Sequence, residues 1–174
     1  MIGASMTSDI RRPDRNMEAV TLSGSPEGAS TTEIGGYRLQ LTLVDLIDLT
    51  LQIQHLRWNL VDEEILRTKL DHFDALVRAG SDTVAGRLRE LGVAPDGRIG
   101  TAYQDLLFEP LPSGPLDARS AVTAFSSRLT QFGYRVGESL QILEESDPDP
   151  ESARILEALN EEIVGWAEEF TVGW

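Results

Sequence analysis

Four stretches of this chain place apolar residues at steps of three and four, and glycine- or proline-rich breaks separate them. That spacing turns one face of each segment apolar, so each must bury it against the others. The first stretch runs from Tyr37 to about Asn59, with Leu39, Leu43, Leu46, Thr50 and Ile53 on one stripe and Leu41, Val44 and Leu51 on a second. A helix apolar on two sides needs cover on two sides, as in a bundle that also oligomerises. The second runs to about Leu91 through Leu66, Leu70, Phe73, Val77, Val84 and Leu88, with Asp62 as the expected N-cap and Gly92 and Pro95-Asp96-Gly97 as its stop. The third spans about Asp117 to Glu145, and Ser146-Asp147-Pro148-Asp149-Pro150 breaks it. The fourth runs from about Pro150 to Val172 with Ile155, Leu156, Leu159, Ile163, Trp166 and Phe170.

Residues 98–116 separate the second and third segments with three prolines and the apolar piece Tyr103–Phe108. A connection of that length crosses from one end of a bundle to the other and has room for a short helix. The expected fold is therefore all-α, a ferritin-like four-helix bundle whose long crossover between helices two and three carries a short helix. Residues 1–36 read as a flexible tail rich in Ser, Thr, Gly and Pro, and residues 37–174 as the folded domain.

Charge restricts the function. The chain has 29 Asp and Glu against 15 Lys and Arg, a net −14, and a single lysine, Lys69. Phosphate binding needs clustered Lys and Arg, so direct contact with DNA is disfavoured, as is an anionic membrane surface. With no cysteine there are no disulfides, thiolate zinc sites or iron–sulfur clusters. No apolar run approaches the roughly 20 residues needed to cross a bilayer, and no secretory leader is evident, so a cytoplasmic location is expected.

Three groups of residues resemble the Dps family, the DNA-protecting mini-ferritins of starved bacteria. Arg57-Trp58-Asn59 is similar to the family's His-Trp-Asn at the end of the first helix. Leu70-Asp71-His72-Phe73 through Asp82-Thr83-Val84-Ala85-Gly86-Arg87 and Leu91-Gly92-Val93 resembles its second-helix signature, and Pro112-Ser113-Gly114-Pro115-Leu116-Asp117 its entry into the third. Glu162 and Trp166 stand where these proteins often place an acid and a tryptophan four apart. The resemblance implies a hollow shell of twelve subunits, iron storage or sequestration, and protection against oxidative or starvation stress. Its alternatives are DNA binding through a tail, for which Arg11, Arg12 and Arg15 are the candidates, and a purely structural shell subunit.

The resemblance also implies an iron-oxidising site between subunits, built from two His, two Asp and a Glu. Matched residue by residue, the aspartates are Asp71 and Asp82, but the histidines become Arg57 and Arg67 and the glutamate becomes Gly86. A guanidinium has five donors and no lone pair, so it cannot ligate iron. At about 100° per residue, Arg67, Asp71, Arg78, Asp82 and Gly86 share a stripe about 100° wide. Arg67–Asp71 and Arg78–Asp82 are each four apart, where opposite charges meet. The favoured reading is an interface ion-pair network in place of the dinuclear site, with ferroxidase activity absent or weak. A solvated charged face and a weak iron site at Asp71 and Asp82 are the other two readings.

His55 reads as a packed or interface histidine, and Trp58 and Trp166 as packing anchors. By the same resemblance the acidic run Glu144, Glu145, Asp147, Asp149 and Glu151 surrounds cation-admitting pores. On chemistry alone it is equally a solvated loop whose Asp149 and Glu151 complement a helix N-terminus.

Overall fold

The computed structural model describes residues 31–61, 63–98, 100, 111–145 and 149–172. They form four long helices: α1 (Thr31–Asn59), α2 (Glu64–Glu90), α3 (Ala118–Glu145) and α4 (Pro150–Thr171). Helices α1 and α2 pair as one hairpin and α3 and α4 as another, with α1 also lying beside α3 and α2 beside α4. The expected four-helix bundle is what forms, and among the described residues there is no strand. One isolated parallel bridge joins Leu60 to Leu116, with the Leu116 N–H donating to the Asn59 carbonyl at 2.9 Å. It ties the end of α1 to the start of α3, so α3 begins at the end of the bundle opposite to the one where α2 finishes. The expected short helix and Tyr103–Phe108 lie outside the described residues, as do residues 1–30 of the expected tail and Asp62.

The stops act as their residue types require. Gly92 takes a left-handed φ of +76° after α2, and the Val93 N–H reaches back to the Leu88 carbonyl at 2.9 Å. Asp117 caps α3 by accepting from the Ser120 N–H (2.9 Å) and hydroxyl (2.8 Å). Asp149 does the same for α4 with Ser152, and Pro150 fills the first turn, where no N–H is needed. Residue Glu63 stands at the N-cap of α2 and makes no side-chain cap.

Helix α1 begins at Thr31, six residues before the expected start at Tyr37. Gly35-Gly36, at the end of the expected tail, has the composition of a flexible pair but is buried inside the helix. A Cβ on Gly36 would stand 2.8 Å from Val93 Cγ2, so the glycine lets α1 approach the chain leaving α2. Of the second apolar stripe, Val44 is fully buried within the single chain, Leu41 is half-buried and Leu51 is 47% exposed.

The core is a run of Leu, Ile and Val closed at one end by aromatic rings. Phe73 of α2 meets Phe125 of α3 edge-on at 5.8 Å between centroids, and Phe170 of α4 at 5.6 Å. Trp166 packs on Phe73 at 5.5 Å, which bears out its reading as an anchor.

One seam of the bundle is polar. Between α1 and α3 lie Asp45, Asp48 and Gln52 on one side and Arg128 and Arg135 on the other, all largely buried. Arg135 donates to Asp45 at 2.7 Å and Arg128 to Gln52 at 3.2 Å, while Gln52 donates to Asp48. Burial pushes the Asp48 carboxyl above its ordinary range, although Gln52, Arg128 and Arg135 oppose the shift. An acid whose folded pKa is raised loses stability as pH climbs from its unfolded value through the folded one. Asp48→Asn keeps the acceptor for Gln52 and removes the charge. It should raise the unfolding midpoint at pH 7 by about 2–4 °C, the equivalent of about 1 kcal/mol. The gain should shrink on acidification and vanish below about pH 4, as thermal melts across pH would show.

Candidate functional site

The charged cluster assembles where the last turn of α1 meets the first three turns of α2. Arg57, from the last turn of α1, donates to Asp71 and reaches Asp74 at 3.4 Å. Arg78, one turn further along α2, donates to the same Asp74 oxygen at 3.1 Å. The result is a chain of alternating charge, Asp71–Arg57–Asp74–Arg78, within one subunit. Asp74 is the buried member, with only 8% of its surface exposed, so removing its cations would strand a carboxylate away from water. Its Oδ1 and the Arg57 Nε are buried without a hydrogen-bond partner among the described residues.

The pairings differ from the simple four-residue rule. Arg67 does not meet Asp71; it donates to the carbonyl oxygens of Arg57 and Leu60. The last carbonyls of a helix have no partner within it, and this guanidinium from α2 supplies one at the end of α1. Arg78 turns back to Asp74 and not forward to Asp82, because the buried carboxylate is the one that needs a counter-charge. Asp82 is exposed and has no partner among the described residues. Around Gly86 nothing lies within 4 Å of where a Cβ would stand.

Asp74 is not among the site residues expected from the sequence. It stands three residues after Asp71 and four before Arg78, within about 20° of Arg67 on the helix wheel. The spacing signal was present, but the family pattern has no ligand there.

His55 shares the end of α1. Its Nε2 donates to the Pro112 carbonyl at 2.9 Å, and its Nδ1 accepts from the Asn59 amide at 3.4 Å, which fixes the tautomer. It binds the end of the crossover to α1, the packing role expected of it. His72 is exposed. Trp58 is 75% exposed on the single chain, and Val61 and Ile65 are exposed beside it in sequence, so the anchoring role expected of Trp58 is not met within one subunit. Among the described residues no three His, Asp or Glu side chains are grouped as a metal site.

At the opposite end of the bundle the acidic run is largely occupied. Asp149 caps α4 and accepts from Arg87 at 2.8 Å. Burial works against its charged form, but the hydrogen bonds from Ser152 and Arg87 outweigh it and hold the carboxyl below its usual range. Glu151 pairs with Arg154 at 2.7 Å, Glu145 accepts from Gln141 at 2.9 Å, and Glu144 is exposed. Asp147 lies outside the described residues.

Comparison with known proteins bears on the fold. No family model matches the chain. Over 116 residues it is 28% identical to DNA protection during starvation protein 2 of Deinococcus radiodurans, covering 63% of this chain and 46% of that protein. The chain thus spans about half the length of that curated relative. Among solved structures, Dps92 of Deinococcus radiodurans superposes with a TM-score of 0.76 at 24% identity, covering 80% of this chain and 85% of that one. Mycobacterium smegmatis Dps superposes at 0.75 and 24%, covering 84% of each chain. The Dps of Microbacterium arborescens in its high iron form superposes at 0.73 and 16%, covering 84% and 96%. The architecture is that of the ferritin-like four-helix bundles. Within that class the fold is of the Dps type, and the resemblance read from the sequence is borne out at the level of the fold.

No helix among the described residues is long and apolar enough to cross a membrane.

Proposed function

We propose that this protein is a Dps-like shell subunit whose inter-subunit iron-oxidising site has given way to an arginine–aspartate network. It protects the cell by sequestering iron, not by oxidising it rapidly. The observation that carries the reading is the contact of Arg57 with Asp71. By resemblance these are a histidine and a carboxylate that would face iron together; here the cation takes the carboxylate the metal would need. Asp74 deepens the network by binding both Arg57 and Arg78. Iron is the cargo, drawn by a subunit of net charge −14. Asp147, Asp149 and Glu151 are the pore candidates for its entry, with Asp149 and Glu151 partly neutralised by Arg87 and Arg154. The cytoplasm is the proposed setting.

Assembly follows from the same end of the molecule. Trp58, Val61 and Ile65 present apolar side chains beside the charged network, and a second copy of the chain is their proposed cover. In that arrangement the free Asp82 of each subunit meets the other's arginines.

Sedimentation velocity of the purified chain should give a closed particle of many subunits, twelve by the resemblance, and Trp58→Glu should reduce it to smaller species that stay helical. Iron added slowly in air should co-sediment with the parent particle. A monomeric parent, or a particle that retains no iron, would contradict the proposal.

DNA protection by direct contact is the second reading, favoured by the name of the Deinococcus radiodurans relative. The acidic balance opposes it, and its candidates Arg11, Arg12 and Arg15 lie outside the described residues. Retention of DNA in a low-salt gel shift, lost on removing residues 1–16, would establish it.

A further inference from the structure

The polar seam between α1 and α3 has a spacing that selects one alignment of the two hairpins. Asp45 pairs with Arg135 and Gln52 with Arg128. The paired positions move seven residues forward along α1 and seven back along α3, as required of two antiparallel helices in one register. Asp48 lies between them, joined to Gln52 and within the field of both arginines.

The rest of the buried surface of the two helices is apolar, mainly Leu on α1 and Ala, Val, Phe and Leu on α3, and discriminates less between alignments, since apolar cores of similar volume repack readily. Charge does discriminate. Sliding α3 by four residues in one direction would bring Asp45 level with Ser139 and Gln52 level with Phe132. Sliding it in the other would bring Arg135 level with Leu41 and Asp45 level with Gln131. Either slip leaves at least one buried charge without its counter-charge, which costs far more than an imperfect apolar contact.

We propose that the Asp45–Asp48–Gln52 and Arg128–Arg135 ladder is a register lock: it fixes how the α3–α4 hairpin docks on the α1–α2 hairpin. Buried polar groups at a helix seam specify alignment at a cost in stability, and this ladder has that form. Its consequence reaches the surface. A one-turn slip of about 5.4 Å would displace every outward residue of α3 relative to α1 and spoil any closed assembly that uses both.

The test uses distances between spin labels. The chain has no cysteine, so Leu51→Cys and Glu144→Cys, both at exposed positions, give two unique labels on α1 and α3. Labelled chains are diluted with unlabelled ones so that only distances within a subunit are read by double electron–electron resonance. The parent ladder should give one distance. Replacing the ladder with apolar residues (Asp45→Leu, Asp48→Leu, Gln52→Leu, Arg128→Met, Arg135→Met) should keep the helices and add a second population displaced by about one turn. A single, parent-like distance in that variant would overturn the proposal.

A second pair of variants serves if the apolar variant does not fold. Asp45→Arg alone should lose the parent distance, and adding Arg135→Asp should restore it. A reciprocal swap that restores nothing would also overturn the lock.

Discussion

The triple variant Arg57→His, Arg67→His, Gly86→Glu should acquire a fast, saturable iron(II) oxidation phase, and the parent chain should lack one. Each step has a structural reason. Arg57→His removes the guanidinium that occupies Asp71 and leaves an imidazole lone pair in its place. Arg67→His supplies the second imidazole and gives up two hydrogen bonds to the end of α1, a cost of about 1–3 kcal/mol. Gly86→Glu enters open space and replaces a helical glycine, which by itself favours α2 by about 0.5–1 kcal/mol. The initial rate of oxygen consumption on adding iron(II) should rise at least about tenfold, the effect of about 1.4 kcal/mol on a barrier. Adding Asp71→Ala to the triple variant should abolish the gain. A folded, assembled triple variant with the parent's rate would mean that these positions do not form the site the resemblance assigns to them.

Phe73→Ala should be the most damaging single truncation in the core. Its ring touches Phe125, Trp166 and Phe170, so it joins α2 to both helices of the other hairpin. Removing a fully buried aromatic side chain costs about 3–5 kcal/mol, because the surrounding rings cannot close the cavity. For a domain of this size the unfolding midpoint should fall by about 10 °C or more. Circular dichroism in the far and near ultraviolet would follow both the helices and the packing of Trp166. The charged network lies on the neighbouring positions Asp71 and Asp74 of the same helix. Loss of Phe73 should therefore also loosen the site. A midpoint within 2 °C of the parent's would show that the cluster is not the keystone of the core.

The bundle was legible because helical spacing, caps and breaks all point the same way. Leu66 through Leu88 repeat on one face of α2, Asp117 and Asp149 are caps with a serine three residues on, and Gly92 ends α2 in the left-handed conformation only glycine takes readily. Gly35 and Gly36 were misread because a glycine pair looks alike whether it bends a tail or lets two chains touch. The contact with Val93, 57 residues away from Gly36, decides which.

At the site, sequence spacing identified the charged residues better than their partners. Arg67–Asp71 and Arg78–Asp82 fit the four-residue rule, yet Arg67 serves the carbonyls of α1 and Arg78 serves Asp74. A rule for one helix cannot see Arg57 arriving from another, nor how deeply Asp74 is buried. The α1–α3 ladder was missed for the same reason. Asp45, Asp48 and Gln52 lie among apolar residues in the sequence, and only the antiparallel neighbour shows what they meet.

The central claim, that Arg57 and its network stand where iron would be oxidised, is tested most directly on the unaltered protein. Iron(II) is added to the metal-free protein in air-saturated buffer, and oxygen consumption is followed by electrode alongside the absorbance of the ferric product. Slow uptake with no rapid phase, rising in proportion to the iron added, is the predicted result. A fast phase that saturates at a fixed, dinuclear stoichiometry per subunit and disappears in Asp71→Ala would contradict it.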